Sequence, residues 1–167
     1  MDEVLDYNNI DVKEIFLKRT NRIFTRPYYF GKTIRIVTPE MKCAFGIEKE
    51  YGKYIMKMRF NPTIEGHSEL YDFIKRLEYF FYKSLKKNTF KSNIKTHYKY
   101  GPQLVLKVPS IKDNINLIIV DKKLRIPSDI VEGSTFRCEI EINTIWSNAV
   151  KGTYKWVVKK IYFDDCV

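Results

Sequence analysis

Three cysteines and two histidines are all that this 167-residue chain offers for soft-metal, thiol or imidazole chemistry. Cys43, Cys138 and Cys166 lie far apart, with no CxxC or Cys/His ligand spacing, so neither a structural zinc nor a disulfide framework is expected. His67 and His97 have no Ser or Cys beside them in the setting of a nucleophile elbow, which argues against Ser/His or Cys/His hydrolysis. Only seven glycines are present, and none builds a GxGxxG or GxxxxGK(S/T) loop, so the usual phosphate cradle of nucleotide enzymes is missing. No run approaches the roughly 18 consecutive apolar residues of a membrane helix. The opening MDEVLDYNNID is acidic where a secretory signal would be basic and then apolar. These absences predict a soluble, cytoplasmic protein with no catalytic residue, metal or cofactor and no membrane partner.

What the chain has in quantity is positive charge and aromatic rings. Thirty Lys+Arg face 20 Asp+Glu, for a net charge of +10, and 15% of residues are Phe, Trp or Tyr. Excess charge of this size points to a polyanionic partner. Base composition competes as an explanation, because Lys, Asn, Ile and Tyr supply 64 residues against two Ala, as AT-rich coding would produce. Placement separates the two readings. Residues 1–20 carry −2, 21–60 carry +6, 61–90 carry +1, 91–125 carry +6 and 126–167 carry −1. The two basic blocks are also the ones that read as strands.

The run YYFGKTIRIV at 28–37 alternates and is rich in β-branched and aromatic types, which predicts a strand with one basic face. MKCAFGI at 41–47 reads as a second strand, and a turn over 48–52 leads to KYIMKMRF. There Tyr54, Met56, Met58 and Phe60 share one face, while Ile55, Lys57 and Arg59 share the other. From 67 to 87 the period becomes helical: Leu70, Phe73, Ile74, Leu77, Phe80, Phe81 and Leu85 form an apolar stripe, with Ser68 as N-cap. That stripe reads as core. Strands resume at 95–108, 115–120, TFRCEIEINTIW and YKWVVKKIYF. Cys138 falls on an apolar parity and Glu139 and Glu141 on the wet one. Trp146 reads as core, and Trp156, between Lys155 and Lys159, as core or ligand with equal weight.

This layout of short strands with one internal helix and no βαβ alternation is mainly β. It predicts an oligonucleotide-binding (OB) Greek-key barrel with one internal amphipathic helix and a short N-terminal arm. Residues 1–20 form the arm or a short helix, 21–163 a single nucleic-acid-binding domain, and 164–167 a short acidic tail. Single-strand binding needs cations that track phosphates and flat rings on which bases stack. Tyr28, Tyr29, Tyr98, Tyr100 and Trp156 are candidate stacking rings, near Arg26, Lys32, Lys95, His97, Lys99 and Lys155. Arg35, Lys57, Arg59, Lys107 and Lys123 complete the candidate nucleic-acid-binding set.

In order along the chain, MKCAFGIEKEYGKYIMKMRF, ELYDFIKRLEYFF, THYKYGPQLVLKVP, EGSTFRCEIEINTIW and KGTYKWVVKKI resemble the single-stranded DNA-binding proteins of large cytoplasmic DNA viruses and linear cytoplasmic yeast plasmids. The likeness spans roughly 40–163. Its most specific parts are Phe45-Gly46-Ile47, Ile145-Trp146 after Gly133, and Gly152 followed by Trp156. It implies a non-enzymatic barrel that coats replication intermediates in DNA replication, recombination and repair, with DNA polymerase or other replication proteins and a second copy of itself as partners. The ending Asp164-Asp165-Cys166-Val167 is a weak version of the acidic tail such proteins carry. RNA is the alternative ligand. An assembly protein of a virus or plasmid replication complex is the competing class, and a two-metal nuclease built on Glu139 and Glu141 is the remaining one.

Overall fold

The computed structural model describes residues 3–163; the tail at 164–167, with its expected free thiol Cys166, lies outside the described residues. Sixteen strand segments and one helix are laid out in chain order. They are β1 (Ile15–Arg19), β2 (Phe24–Tyr29), β3 (Lys32–Val37), β4 (Met41–Cys43), β5 (Glu48–Glu50), β6 (Lys53–Arg59), α1 (His67–Leu85), β7 (Thr89–Lys91), β8 (Ile94–His97) and β9 (Gly101–Val108), followed by β10 (Ser110–Ile111), β11 (Asn114–Ile115), β12 (Ile118–Val120), β13 (Thr135–Ile142), β14 (Ile145–Ser147), β15 (Lys151–Tyr154) and β16 (Trp156–Tyr162).

Alternation of side chains decides the inside of the sheet. Met56 and Met58 of β6, Leu104 and Leu106 of β9, Phe136, Cys138 and Ile140 of β13, and Trp156 and Val158 of β16 are all fully buried in one core. Hydrogen bonding then closes the sheet on itself. β4 pairs antiparallel with β6 and β6 with β9; β9 runs parallel to β16; β16 pairs antiparallel with β13, which returns to β3 and β4. Because β3 and β4 are two halves of one strand interrupted near Pro39, the ring has five staves, the Greek-key barrel expected of the OB class. A second wing, β2, β14, β15 and β7, with β1 on the edge of β2, extends from β3.

One sequence expectation changes here, and another is narrowed. The single strand over 28–37 is a hairpin, because Phe30 and Gly31 both have positive φ, 48° and 80°, which turns β2 back onto β3. Of the two forms expected for residues 10–19, arm or short helix, the arm is the one seen: a one-turn 3-10 segment leads into β1, whose Ile15–Arg19 pairs with Tyr29–Thr25.

The helix forms where its periodicity places it, between β6 and β7. Leu70, Phe73, Ile74, Leu77 and Phe81 enter the barrel core. Its N-cap is Gly66 at φ 87° rather than Ser68, and no side chain caps it. Its first residue, His67, is buried: Nδ1 accepts from the Asn61 amide at 2.8 Å and Nε2 donates to the Glu40 carbonyl at 2.7 Å. That histidine pins the chain entering the helix and is structural. Glu78 is the helix's buried carboxylate, accepting from Ser92 Oγ, the Asn93 amide and the Tyr154 phenol at 2.5, 2.9 and 2.5 Å. It ties the helix to β15 and to the segment entering β8.

Candidate nucleic-acid interface

The outer surface of the barrel is built by the residues that alternate with the core. On β6 these are Lys53, Ile55, Lys57 and Arg59, and antiparallel register sets Ile55 opposite Lys107, Lys57 opposite Val105 and Arg59 opposite Gln103. Lys107 also lies beside Val157 of β16, and Gln103 beside Lys95 of β8. A continuous basic face therefore crosses β8, β9, β6 and β16. Aromatic rings stand at both of its ends.

At one end, the turn after β8 folds back on itself. His97 Nδ1 accepts from the amides of Lys99 and Tyr100 at 3.0 and 3.3 Å, which holds the turn closed. The rings of Tyr98 and Tyr100 both stack on the His97 imidazole, at 4.6 and 5.0 Å. The Arg59 guanidinium lies 3.7 Å from the centre of the Tyr100 ring, and Lys57 reaches over Phe45. Tyr98 is 94% exposed. A large ring left in water by a turn that its neighbours rigidify can stack a flat partner without reorganising. Glu132 borders it, accepting from the Tyr100 phenol at 3.0 Å and lying 3.8 Å from Arg59.

At the other end, the β2–β14–β15–β7 wing presents Phe24, Trp146, Thr153 and Lys91 in one cross-strand row. Gly152 allows this row to form. A Cβ there would stand 2.9 Å from the Phe90 ring, so only glycine lets β15 approach β7. Trp146 is half-buried and lines two adjoining hollows, one with Phe24, Lys53, Lys107 and Lys155, the other with Phe90, Lys91, Lys151 and Lys155. Lys155 sits between them. Its ammonium is disfavoured first by partial burial and then by repulsion from Lys91, Lys95, Lys53 and Lys107, so its pKa is lowered. Five lysines thus converge on one spot, and none of them forms an ion pair among the described residues. Such crowding is unfavourable alone and is relieved by a polyanion.

The remaining candidates lie elsewhere. Arg26 and Tyr28 share the outer side of β2 with Phe24, facing Lys18 and Phe16 of β1. Tyr29 points the other way and is engaged with the N-terminal segment, its phenol accepting from the Asp11 amide at 3.3 Å and donating to the Asn9 carbonyl at 3.4 Å. Lys32 pairs with Glu3 at 2.6 Å, and Lys123 is exposed in the loop after β12. Two candidates are withdrawn from the surface. Trp156 has no exposed area and donates its indole N–H to Tyr154 Oη at 3.1 Å, so it belongs to the core. Arg35 is bound to Glu139 and Glu141 at 3.2 and 3.1 Å. Those carboxylates, expected on a wet face, are buried under Arg35, Lys159 and Tyr162. They form an ion-pair ladder across β3, β13 and β16 rather than an open acidic cleft, and among the described residues no other His, Cys, Asp or Glu gathers with them as a metal site would need.

Trp146, Phe24, Lys53 and Lys91 were missed by reasoning from sequence. They come from four strands, and nothing in local spacing brings them together. For the tryptophans a signal did exist: Trp156 alternates with Lys155 and shares its parity with Val158, so strand period alone puts it inside.

A closed five-stave Greek-key barrel with a basic, ring-bounded outer face defines the oligonucleotide-binding class of fold. Among solved structures, the fold is similar to that of gp2.5, a single-stranded DNA-binding protein encoded by bacteriophage T7, with a TM-score of 0.55 at 11% identity over 77% of this chain and 90% of that one. It is also similar to the single-stranded DNA-binding protein from bacteriophage Enc34 in a C-terminally truncated form, with a TM-score of 0.50 at 11% identity over 91% and 95% of the two chains. No family model matches the sequence, and no curated protein matches it.

Proposed function

We propose that this protein binds single-stranded DNA without sequence preference and coats it during replication, recombination and repair. The observation that carries this reading is the gathering of Lys53, Lys91, Lys107 and Lys155 around the Trp146 ring, with Lys95 close enough to add to the field at Lys155, on the face that also carries the Tyr98–His97–Tyr100 stack. Cations placed between two aromatic stations suit a flexible strand whose bases can turn out and stack. A duplex keeps its bases stacked on one another and offers only its backbone. The names of the similar phage structures support the same ligand. Residues 21–163 are taken as the binding domain and 1–20 as an arm attached to it.

The resemblance to proteins of cytoplasmic viruses and plasmids supports a cytoplasmic replication site for this activity, with a polymerase and further copies of the chain as proposed partners. No group is assigned a catalytic role, and the function is binding alone. Titration of a fluorescent oligo-dT against a matched duplex tests the proposal, with oligo-rU as the arm that distinguishes RNA. Tighter binding of oligo-dT is expected. Affinity should fall with salt at about −0.7 in log–log slope per phosphate neutralised. Equal or tighter binding of duplex overturns the proposal.

A further inference from the structure

The outer side of α1 is not needed for the barrel, yet it carries a second basic surface. Where the 3-10 segment Val12–Glu14 crosses the helix, a groove of about 510 Å³ opens with Val12, Tyr79 and Phe80 as its apolar floor. Lys13, Lys75, Arg76 and Lys83 form its rim, and no acidic side chain lines it. None of these residues lines the two hollows around Trp146. Tyr79 is 62% exposed, and Lys83 lies 5.7 Å from its ring centre, so the ring is presented with a cation beside it. Helical spacing explains the arrangement. Lys75, Arg76, Tyr79 and Lys83 repeat at intervals of three and four and so share one stripe, opposite the Phe73, Ile74, Leu77 and Phe81 stripe that enters the core.

We infer that this groove docks an acidic peptide segment of a partner protein, one that places a Phe or Leu on the Tyr79–Phe80 floor and carboxylates on the lysine and arginine rim. Charge complementarity selects the occupant. Four cations around an apolar floor, with no acidic side chain in the lining itself, match an acidic segment with apolar anchors. A nucleic acid can stack a base on Tyr79, but it has no group that suits the aliphatic Val12 and the half-buried edge of Phe80, which an apolar side chain covers. The groove also has a polarity. At the end nearer the start of the helix, Glu69 and Asp72 stand beside Lys75 and Arg76. The positive field is therefore strongest toward Lys83, and the carboxylate-rich part of the peptide lies at that end.

The test is fluorescence anisotropy of the full chain with a labelled peptide, Asp-Glu-Phe-Asp-Glu-Leu-Phe-Glu-Asp, and a version in which Phe and Leu are Ser. Saturable binding of the first is expected, with about tenfold loss for the Ser version and about tenfold loss again for K75E/R76E or K83E. Y79A should weaken the peptide to a similar degree. Each variant should bind oligo-dT as the parent does, and circular dichroism on each reports its folding. Absence of peptide binding overturns the inference, as does peptide binding that survives K75E/R76E or is lost instead on changing Lys155. Loss of oligo-dT affinity in K75E/R76E also overturns it, because the face would then be part of the nucleic-acid path. Because peptide and oligonucleotide are read separately, failure of this docking site leaves the oligonucleotide reading standing, and the reverse.

Discussion

Trp156 and Tyr154 are joined by a hydrogen bond of 3.1 Å from indole to phenol, and that phenol in turn donates to Glu78 at 2.5 Å. All three side chains are buried, so the tryptophan that stands amid lysines in the sequence is part of the bolt between barrel and helix. The other tryptophan, ten residues earlier, is the one left facing the lysines.

Replacing each tryptophan by alanine should therefore separate folding from binding. Trp146→Ala should weaken oligo-dT binding by about 5- to 150-fold, the loss of one stacked base at about 1–3 kcal/mol, with little change in melting temperature. Trp156→Ala should cost about 3–5 kcal/mol of stability. Thermal melts and anisotropy on the two variants decide it, and the opposite pattern would show that the strand parity has been assigned to the wrong faces.

Tyr98→Ala should behave like Trp146→Ala. Its ring is 94% exposed and has the stack on His97 to lose, so its stability should be within about 1 kcal/mol of the parent. Oligo-dT affinity should still drop by about 1 kcal/mol or more. Adding Tyr100→Ala removes the ring that holds Arg59 and should weaken binding further. If the double variant binds normally, the strand does not reach this end of the face.

Binding through Lys155 should be sensitive to alkali. In the free protein, burial and then its four lysine neighbours hold its pKa below the ordinary lysine value of 10.5. A phosphate beside it favours the ammonium, so binding takes up a proton once the pH exceeds the depressed value. Affinity should fall as pH rises through that value toward 10.5. Lys155→Met should bind less tightly at neutral pH and show a shallower decline. An identical pH profile in parent and variant would exclude Lys155 from the contact.

Arg35→Ala should unfold more than it unbinds. Glu139 and Glu141 are buried, and removing their shared guanidinium leaves Lys159 as the remaining ion-pair partner of Glu141. A stability loss of about 3 kcal/mol is expected. Chemical denaturation measures it, and a loss confined to oligonucleotide affinity would return Arg35 to the interface.

The Glu78 junction should contribute to loss of stability in alkali. Burial, and then the Glu78 charge, hold the Tyr154 phenol well above 10.0. Its contribution to stability is complete below pH 10.0 and is lost above it, where the unfolded chain releases a proton that the folded one retains. Tyr154→Phe should flatten that decline, and Glu78→Gln should cost about 1–3 kcal/mol at neutral pH by leaving buried donors unpaired. Urea titrations on either side of pH 10 measure both effects.

Composition and period alone determined a mainly β chain with one amphipathic helix, the extent of that helix to within two residues, and the outward direction of Lys57 and Arg59 opposite Met56 and Met58. These are local properties, set by which side chains can alternate between water and core within one segment. The positions of turns were less legible. The hairpin at Phe30-Gly31 hides in a run whose alternation continues across it, and only the positive φ of two residues breaks it. Which cations are free was decided by the tertiary structure alone. Arg35 and Lys107 look alike in sequence, yet register sets two carboxylates of β13 beside the first and an apolar strand neighbour beside the second. The lysine cluster and its Trp146 wall are likewise products of pairing between distant strands, because a charge or ring becomes a site only when the closed sheet brings its neighbours to it.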